Sequence, residues 1–566
     1  MFSSPGSPLI IQGDQSILLD LHDPRAEDAR KSIAAFAELE KSPEHIHSYR
    51  LNPLSLWNAA AAGYSPKSIM ETLDSFSRYP IPASVERNIT EIMGRFGMIK
   101  LLPSESLSRS SSGLFFLQVL DQHLFDVLNN QRSLKKLVIP ADNISEKHRG
   151  FLIHPLQRGS VKQELIRLGY PVEDLIPLRD GEDLELSARE QTLGGRSFEI
   201  RDYQRQATES FLGNLQGGTG YGTVVLPCGG GKTIVGIDVM VKLGTHTLIL
   251  APNVSAVHQW KRELLDKTSL RADQIGEYSG QVKEIRPVTI ATYQILVYRP
   301  EIDGPFPHFN LVTRESWGLI IYDEVHLLPA PIFRVTAEIQ AVRRLGLTAT
   351  LVREDGRENE VFSLVGPKRF DVPWKDLENR GWISEAICKE IRVELPEELQ
   401  LPYATADKRK KYRIASENPR KFSIVDYLIH HHPRDQILII GQYLDQLELL
   451  RRRLEAPIIT GKTPNGERDE LYQRFRDGDI RILIVSKVAN FAIDLPDASV
   501  AIQISGSFGS RQEEAQRLGR ILRPKETTAY FYSLISRYTV EEEFGMNRQK
   551  FLAEQGYAYL LDVWED

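Results

Sequence analysis

The hydrophobic pattern changes twice along the chain. Up to about residue 100, apolar positions recur at helical spacing between cap signals. Asn52-Pro53 opens one helix and Gly63 closes it; Ser65-Pro66 opens a second; Ser84 to about Phe96 forms a third before Gly97. Residues 1–44 are mixed, with a frayed Ser/Pro/Gly start. Between 101 and 195, FFLQVL and KKLVIP read as strands around an apolar helix near 121–129, and a further helix is predicted at Val161–Leu168. SLSRSSSG (106–113) and SAREQTLGGRS (187–197) read as connectors. From about 198 the texture differs: short, nearly continuous apolar runs alternate with helix-length segments. They are GTVVLP, THTLILAP, VTIATYQ and WGLIIYDE, then QILIIG, IRILIVS and SVAIQIS. Such runs indicate parallel strands covered on both faces. The pattern therefore predicts an α/β protein: a helical domain (1–100), a small α+β domain (101–195) and two parallel-sheet domains in tandem, 196–380 and 381–566.

The length of 566 residues agrees with several cores. Net charge is −6, so no overall basic field points to nucleic acid, and any such surface has to be a local patch. Two cysteines, Cys228 and Cys388, give no disulfide framework and suit a reducing compartment. The start lacks a basic segment before an apolar run, and no apolar run is long enough for a bilayer. A cytosolic protein is expected, without a membrane partner. The three histidines at 430–432 are adjacent, so their side chains diverge, and no structural metal is expected.

Chemistry concentrates at the ends of the predicted strands. LPCGGGKT (226–233) closes the GTVVL strand and opens a helix. In such a turn the backbone N–H groups around Pro227, Cys228, Gly229, Gly230 and Gly231 approach phosphate, and the helix N-terminus adds a favourable field. Lys232 would reach the β- and γ-phosphates of ATP and Thr233 would ligate Mg²⁺. Leu226 stands where the strict motif has its first glycine. In LIIYDEVH (319–326), Asp323 ends an apolar strand at the carboxyl edge of the sheet, where it would hold Mg²⁺ through water. Glu324 would orient or activate the attacking water, and His326 could link the site to Thr348-Ala349-Thr350. IRDYQ (200–204) lies one helix before the glycine turn; Arg201 and Gln204 belong to this ATP-binding set, with the Gln204 carboxamide suited to an adenine edge. In EEAQRLGRILR (513–523), Gln516, Arg517, Arg520 and Arg523 share helical spacing, and Arg520 and Arg523 could stabilise charge on a transferring phosphate. Taken alone, this is equally an exposed helix paired with Glu513 and Glu514.

Together these motifs describe an ATP-driven motor of superfamily 2 helicase type. LPCGGGKT, DEVH, LGLTATLVREDG and SRQEEAQRLGRILRPK resemble the XPB family of DNA repair helicases. So do HIHSYRLNPLSLWNAA (45–60) and KFLAEQGYAYLL (550–561), so that the likeness spans nearly the whole chain. The resemblance implies two RecA-like helicase domains, 3′–5′ unwinding of duplex DNA and a role in nucleotide excision repair. It likens 101–195 to a damage-recognition domain and 396–422 to a thumb insertion. Arg353-Glu354-Asp355 match the family's RED motif, implied to act in opening the duplex. Lys408, Arg409, Lys410, Lys411 and Arg413 form the densest basic cluster, able to meet phosphates, with Tyr412 placed to stack on a base. Asn253, Trp260, Lys261 and Thr292 match track-contacting positions; Gln442 and the 489–494 stretch occupy corresponding places, and Asp494 would sense nucleotide. The resemblance also suggests a nuclease partner of the Bax type. Long charged extensions are missing, which points to a bacterial or archaeal member. A duplex translocase without processive unwinding and a non-catalytic DNA-binding scaffold stand as the alternatives, the latter opposed by Lys232, Glu324 and Arg520 all being present.

Overall fold

The computed structural model describes residues 7–41, 45–103, 114–140, 149–213, 219–227, 229–301, 307–308, 311, 316–328, 342–349, 358–372, 374–382, 384–486, 498–506, 528–554, 557 and 559–565. The chain divides into two compact units, one built chiefly from residues up to Asp371 and the other from Val372 onward.

The first unit begins with a four-stranded sheet. Its strands are β1 (Leu9–Ile11), β2 (Ser16–Asp20), β3 (Glu38–Lys41) and β4 (Ile46–Arg50), in the order β1-β2-β4-β3. Here the structure departs from the helical domain that the hydrophobic pattern predicts over 1–100, placing the strands in the stretch up to Arg50. The cause is strand length: β1 holds three residues and β3 reads ELEK, too short and too polar to register as alternation. Helix α1 (Ala26–Ile33) lies within this segment, and α2 (Pro53–Ala61), α3 (Pro66–Phe76) and α4 (Ala83–Gly94) follow it. The cap signals are realised: the Asn52 and Ser65 side chains accept from the N–H groups of Ser55 and Ser68, each with proline opening the helix.

Next comes a five-stranded mixed sheet, β7-β8-β6-β5-β9. It contains β5 (Ile99–Pro103), β6 (Phe115–Val119), β7 (Ile139–Pro140), β8 (Gly150–Ile153) and β9 (Val172–Asp174), packed with α5 (Gln122–Asn129) and α6 (Arg158–Arg167) over an apolar core that includes Leu117, Phe125, Phe151 and Leu165.

After α7 (Asp202–Leu212) the first large parallel sheet forms. Its strands are β10 (Tyr221–Val225), β11 (Thr247–Ala251), β12 (Ile275–Tyr278), β13 (Val288–Thr292), β14 (Leu319–Asp323), β15 (Arg343–Thr348) and β16 (Lys368–Asp371), in the order β12-β13-β11-β14-β15-β10-β16. All five residues of β10, β11 and β13 are buried, as strands covered on both faces must be. Helices α8 (Lys232–Leu243) and α9 (Val254–Lys267) follow β10 and β11. The parallel register sets Val225 opposite Thr348 and Asp323 opposite Leu347, so three strand ends deliver their residues to one edge.

The second unit repeats the plan. Strands β17 (Ala386–Val393), β18 (Ile437–Gly441), β19 (Ile458–Ile459), β20 (Ile482–Ser486), β21 (Val500–Gln503), β22 (Ala529–Ser536) and β23 (Tyr559–Val563) form an all-parallel sheet ordered β19-β20-β18-β21-β22-β17-β23. Between β17 and β18 run α10 (Lys408–Ser416) and α11 (Lys421–His431), and α12 (Val540–Glu554) precedes the last strand. Among the described residues no helix is long and apolar enough to cross a membrane.

Candidate nucleotide site and basic helix

The glycine turn does what its composition demands. Gly229 and Gly231 both adopt left-handed backbone conformations, with φ of 79° and 78°. Gly231 caps α8, and a Cβ added there would stand 2.3 Å from Gln204 Nε2. Glycine is thus required twice at this position, by conformation and by space. Gln204 is buried, and its Oε1 accepts from the Arg201 backbone N–H at 2.9 Å. Arg201, Gln204, Gly231, Lys232 and Thr233 are therefore brought together as expected. Pro227, Gly229 and Gly230 precede them in the turn, and Cys228 lies outside the described residues.

Across this turn, Lys232 Nζ lies 3.2 Å from Glu324 Oε1. Asp323 closes β14. Burial, then the neighbouring Glu324 charge, push its carboxyl up to about 6, against a hydrogen bond from Trp260 and the Lys232 charge. Burial acts upward on Glu324 as well, but Lys232 and then His326 outweigh it and hold that carboxyl below its ordinary value. The two adjacent carboxylates are thus set apart: Glu324 stays ionised and Asp323 is the harder one to ionise in the free protein. Glu324 has φ of 49° and ψ of 56°, a left-handed conformation that costs a non-glycine residue about 1 kcal/mol or more and turns the chain sharply from strand into a 3₁₀ turn.

His326 is buried and its Nδ1 lies 2.6 Å from Thr348 Oγ1 and 3.4 Å from Glu324 Oε2. The Ala349 backbone N–H also donates to the Glu324 carboxylate. The Thr-Ala-Thr run thus touches this carboxylate in two ways, one through His326 and one directly. Thr350, Arg353, Glu354, Asp355, Asp494, Gln516, Arg520 and Arg523 lie outside the described residues.

Three aromatic or hydroxyl residues expected to face nucleic acid are buried instead. Trp260 is 1% exposed, and its Nε1–H donates to Asp323 Oδ2 at 2.9 Å. It belongs to the inward stripe Val257, Trp260, Leu264 of α9, a spacing visible in the sequence. Gly236 of α8 makes room for it: a Cβ there would stand 2.6 Å from the indole. Thr292, 3% exposed, ends β13 and caps the following turn by accepting from the Ile295 N–H. Tyr412 is fully buried, its hydroxyl donating to the Gly506 carbonyl at 2.7 Å and its ring set edge-on to Phe544. It cannot stack on a base from there. Asn253 remains partly exposed and caps α9 through the Ala256 N–H. Tyr293, which the motifs do not single out, donates its hydroxyl to the Asp323 carbonyl at 2.8 Å.

The basic cluster forms α10, capped by Asp407, whose carboxylate accepts from the Arg409 and Lys410 N–H groups. Lys408, Arg409 and Lys410 are exposed, and Lys411 packs over the Tyr403 ring. Arg413 is already engaged by Glu417 at 2.6 Å and Asp445 at 2.8 Å. Among the described residues no group of three or more His, Cys, Asp or Glu is arranged to hold a metal ion.

The family "ERCC3/RAD25/XPB C-terminal helicase" matches residues 377–563, "Type III restriction enzyme, res subunit" matches 197–353, and "Helicase conserved C-terminal domain" matches 9–141. A "DNA 3'-5' helicase XPB" of Kineococcus radiotolerans is 50% identical, over 98% of this chain and 96% of its own length. A protein of the same description from Mycobacterium tuberculosis is 49% identical, over 99% and 98%. A "General transcription and DNA repair factor IIH helicase/translocase subunit XPB" of Enterocytozoon bieneusi is 32% identical, over 98% and 93%.

Proposed function

We infer that this chain, which belongs to the XPB family of superfamily 2 helicases, is an ATP-dependent DNA helicase that moves 3′ to 5′ and opens duplex DNA during repair. The observation that carries the chemistry is the Lys232–Glu324–Asp323 arrangement at the end of β14, wired to Thr348 through His326.

The residues present fit Mg-ATP. Gly231 lets the Gln204 carboxamide lie directly against the glycine turn, where a Cβ would stand 2.3 Å from its Nε2, and Thr233 and Asp323 offer the hard oxygen donors that Mg²⁺ prefers. Mg²⁺, when bound, supplies charge neutralisation at the phosphates. Lys232 binds the phosphates electrostatically, Glu324 orients the attacking water and takes its proton, and Gln204 with Arg201 borders the glycine turn as the adenine-side set. Arg520 and Arg523 stabilise charge on the transferring phosphate. Asn253 and the exposed Lys408, Arg409 and Lys410 contact the DNA backbone, and Arg353-Glu354-Asp355 act at the point of duplex opening, a role that rests on the family motif.

The bacterial relatives support a prokaryotic cytosolic location. A Bax-type nuclease partner rests on the family resemblance, and mixing the two proteins in size-exclusion chromatography tests it. The relative described as "helicase/translocase" favours keeping a second reading, duplex translocation without processive unwinding. Strand displacement on 3′-tailed, 5′-tailed and blunt duplexes, run beside DNA-stimulated ATP hydrolysis, separates the two. Displacement restricted to the 3′-tailed duplex supports the helicase; hydrolysis stimulated by all three without displacement supports the translocase.

A further inference from the structure

The second parallel sheet ends at β23, with β17 on its inner side and no strand among the described residues on its outer side. The strand reads YLLDV, and Leu560, Leu561 and Val563 are 55%, 48% and 44% exposed. Successive side chains point to opposite faces, so apolar surface is open on both.

The backbone is open too. The Trp564 N–H donates to the Arg392 carbonyl of β17 at 2.8 Å. Backbone groups alternate in direction along a strand, so Leu560 and Asp562 also turn theirs toward β17, whereas Leu561 and Val563 turn their N–H and C=O groups outward. Trp564 anchors this end: it packs against the core of the sheet and stands edge-on to Tyr427, with 5.2 Å between ring centroids. The outward groups are thus presented on a fixed template.

An open apolar edge invites another strand, and most proteins blunt it with charge or cover it. Here the charge is acidic only. Asp562 and, beyond the strand, Glu565 are exposed, and neither forms an ion pair among the described residues. A second copy pairing through the same edge would gather four such carboxylates, which opposes self-association. A strand carrying lysine or arginine would meet them favourably.

We propose that β23 is a docking edge for an extended segment of a partner protein, apolar and basic at alternating positions, which adds a further strand to the second sheet. The alternation follows from the two faces. Leu561 and Val563 share one face and call for apolar neighbours, whereas Asp562 lies on the other and calls for a basic one. The outward backbone groups supply the ladder.

The test uses the full chain and two fluorescein-labelled peptides, one alternating valine with lysine and one alternating valine with glutamate. Anisotropy should show saturable binding of the lysine peptide, on the order of tenfold or more tighter than the glutamate peptide. Leu561→Pro removes an outward N–H where an edge strand tolerates proline, and should weaken binding on the order of tenfold. Asp562→Lys keeps the ladder and should erase the preference for lysine. Thermal unfolding should stay close to wild type in both variants; should the proline variant unfold, Asp562→Lys decides alone. No saturable binding, equal binding of the two peptides, binding indifferent to a folded Leu561→Pro, or a preference that survives Asp562→Lys would overturn the proposal. So would sedimentation showing a dimer of the free chain that Leu561→Pro abolishes, which would make a second copy the occupant.

Discussion

Trp260 donates its indole N–H to the carboxylate of Asp323 at 2.9 Å, from a position 1% exposed. The bond fixes one oxygen of the residue that closes β14 and opposes the rise that burial imposes on its carboxyl. Trp260→Phe keeps the packing and removes the donor. Asp323 is then harder to ionise, so the acid limb of the kcat/KM profile for ATP hydrolysis, expected near pH 6 in the wild type, moves to higher pH. At neutral pH kcat/KM should fall about 10–100-fold, the loss of one hydrogen bond to a charged group. An unmoved acid limb would remove Trp260 from this role.

Asp323 itself should weaken the free protein. Its folded carboxyl titrates at about 6 against 3.8 for the ordinary group, so the folded state holds the extra proton between those values. Stability therefore falls as pH rises through that window and stays lower above it. Asp323→Asn removes the charge and retains an oxygen acceptor for Trp260. It should raise the stability of the nucleotide-free protein at pH 7.5 by about 1–3 kcal/mol while abolishing hydrolysis, with little gain at pH 4. Chemical denaturation at the two pH values reads the difference.

His326 bridges Glu324 and Thr348, and the 2.6 Å contact is buried. Replacing either His326 or Thr348 by alanine should reduce DNA-stimulated hydrolysis more than hydrolysis without DNA, because the contact joins the carboxylate to the Thr-Ala-Thr run. The double variant should lose little more than either single one, since both remove the same link. Full additivity in the cycle would mean that the two side chains act separately.

On α10 the exposed cations and the engaged one should behave differently. Alanine at Lys408, Arg409 and Lys410 together should weaken duplex binding and lower the salt dependence by about 0.9 for each phosphate no longer neutralised. Arg413→Ala should matter less for DNA, as Glu417 and Asp445 already hold that guanidinium. Fluorescence anisotropy over a salt series measures both.

Much of the fold is legible in the sequence, and what is hidden has physical causes. The seven runs from GTVVLP to SVAIQIS became β10, β11, β13, β14, β18, β20 and β21, because buried parallel strands need unbroken apolar sequence. Some strands that escaped notice are short or polar, as β3 is, or lie at a sheet edge, as β23 does with most of its residues exposed; β15, β17 and β22 are interior strands of six to eight residues whose apolar runs are interrupted by charged or polar residues. The residues that motif spacing singles out, Lys232, Asp323, Glu324, His326 and Thr348, lie together at one edge of the sheet. Motif spacing misjudged Trp260, Thr292 and Tyr412, because a motif position fixes neighbourhood and not the direction of a side chain. For Trp260 the inward stripe with Val257 and Leu264 was the available clue. For Tyr412 the charges on both sides suggested an exposed ring, whereas its face of α10 also carries buried Ala415 and Ser416.

The most direct measurement is ATP binding, hydrolysis and strand displacement by Glu324→Gln beside the wild type, each with and without duplex DNA. Glutamine preserves the shape but can neither take the proton from water nor pair with Lys232, which lies 3.2 Å from Glu324. Nucleotide binding should persist while hydrolysis falls by about two orders of magnitude, and displacement should vanish with it. Hydrolysis and displacement that survive in this variant would contradict the assignment of Glu324 and, with it, of the whole site.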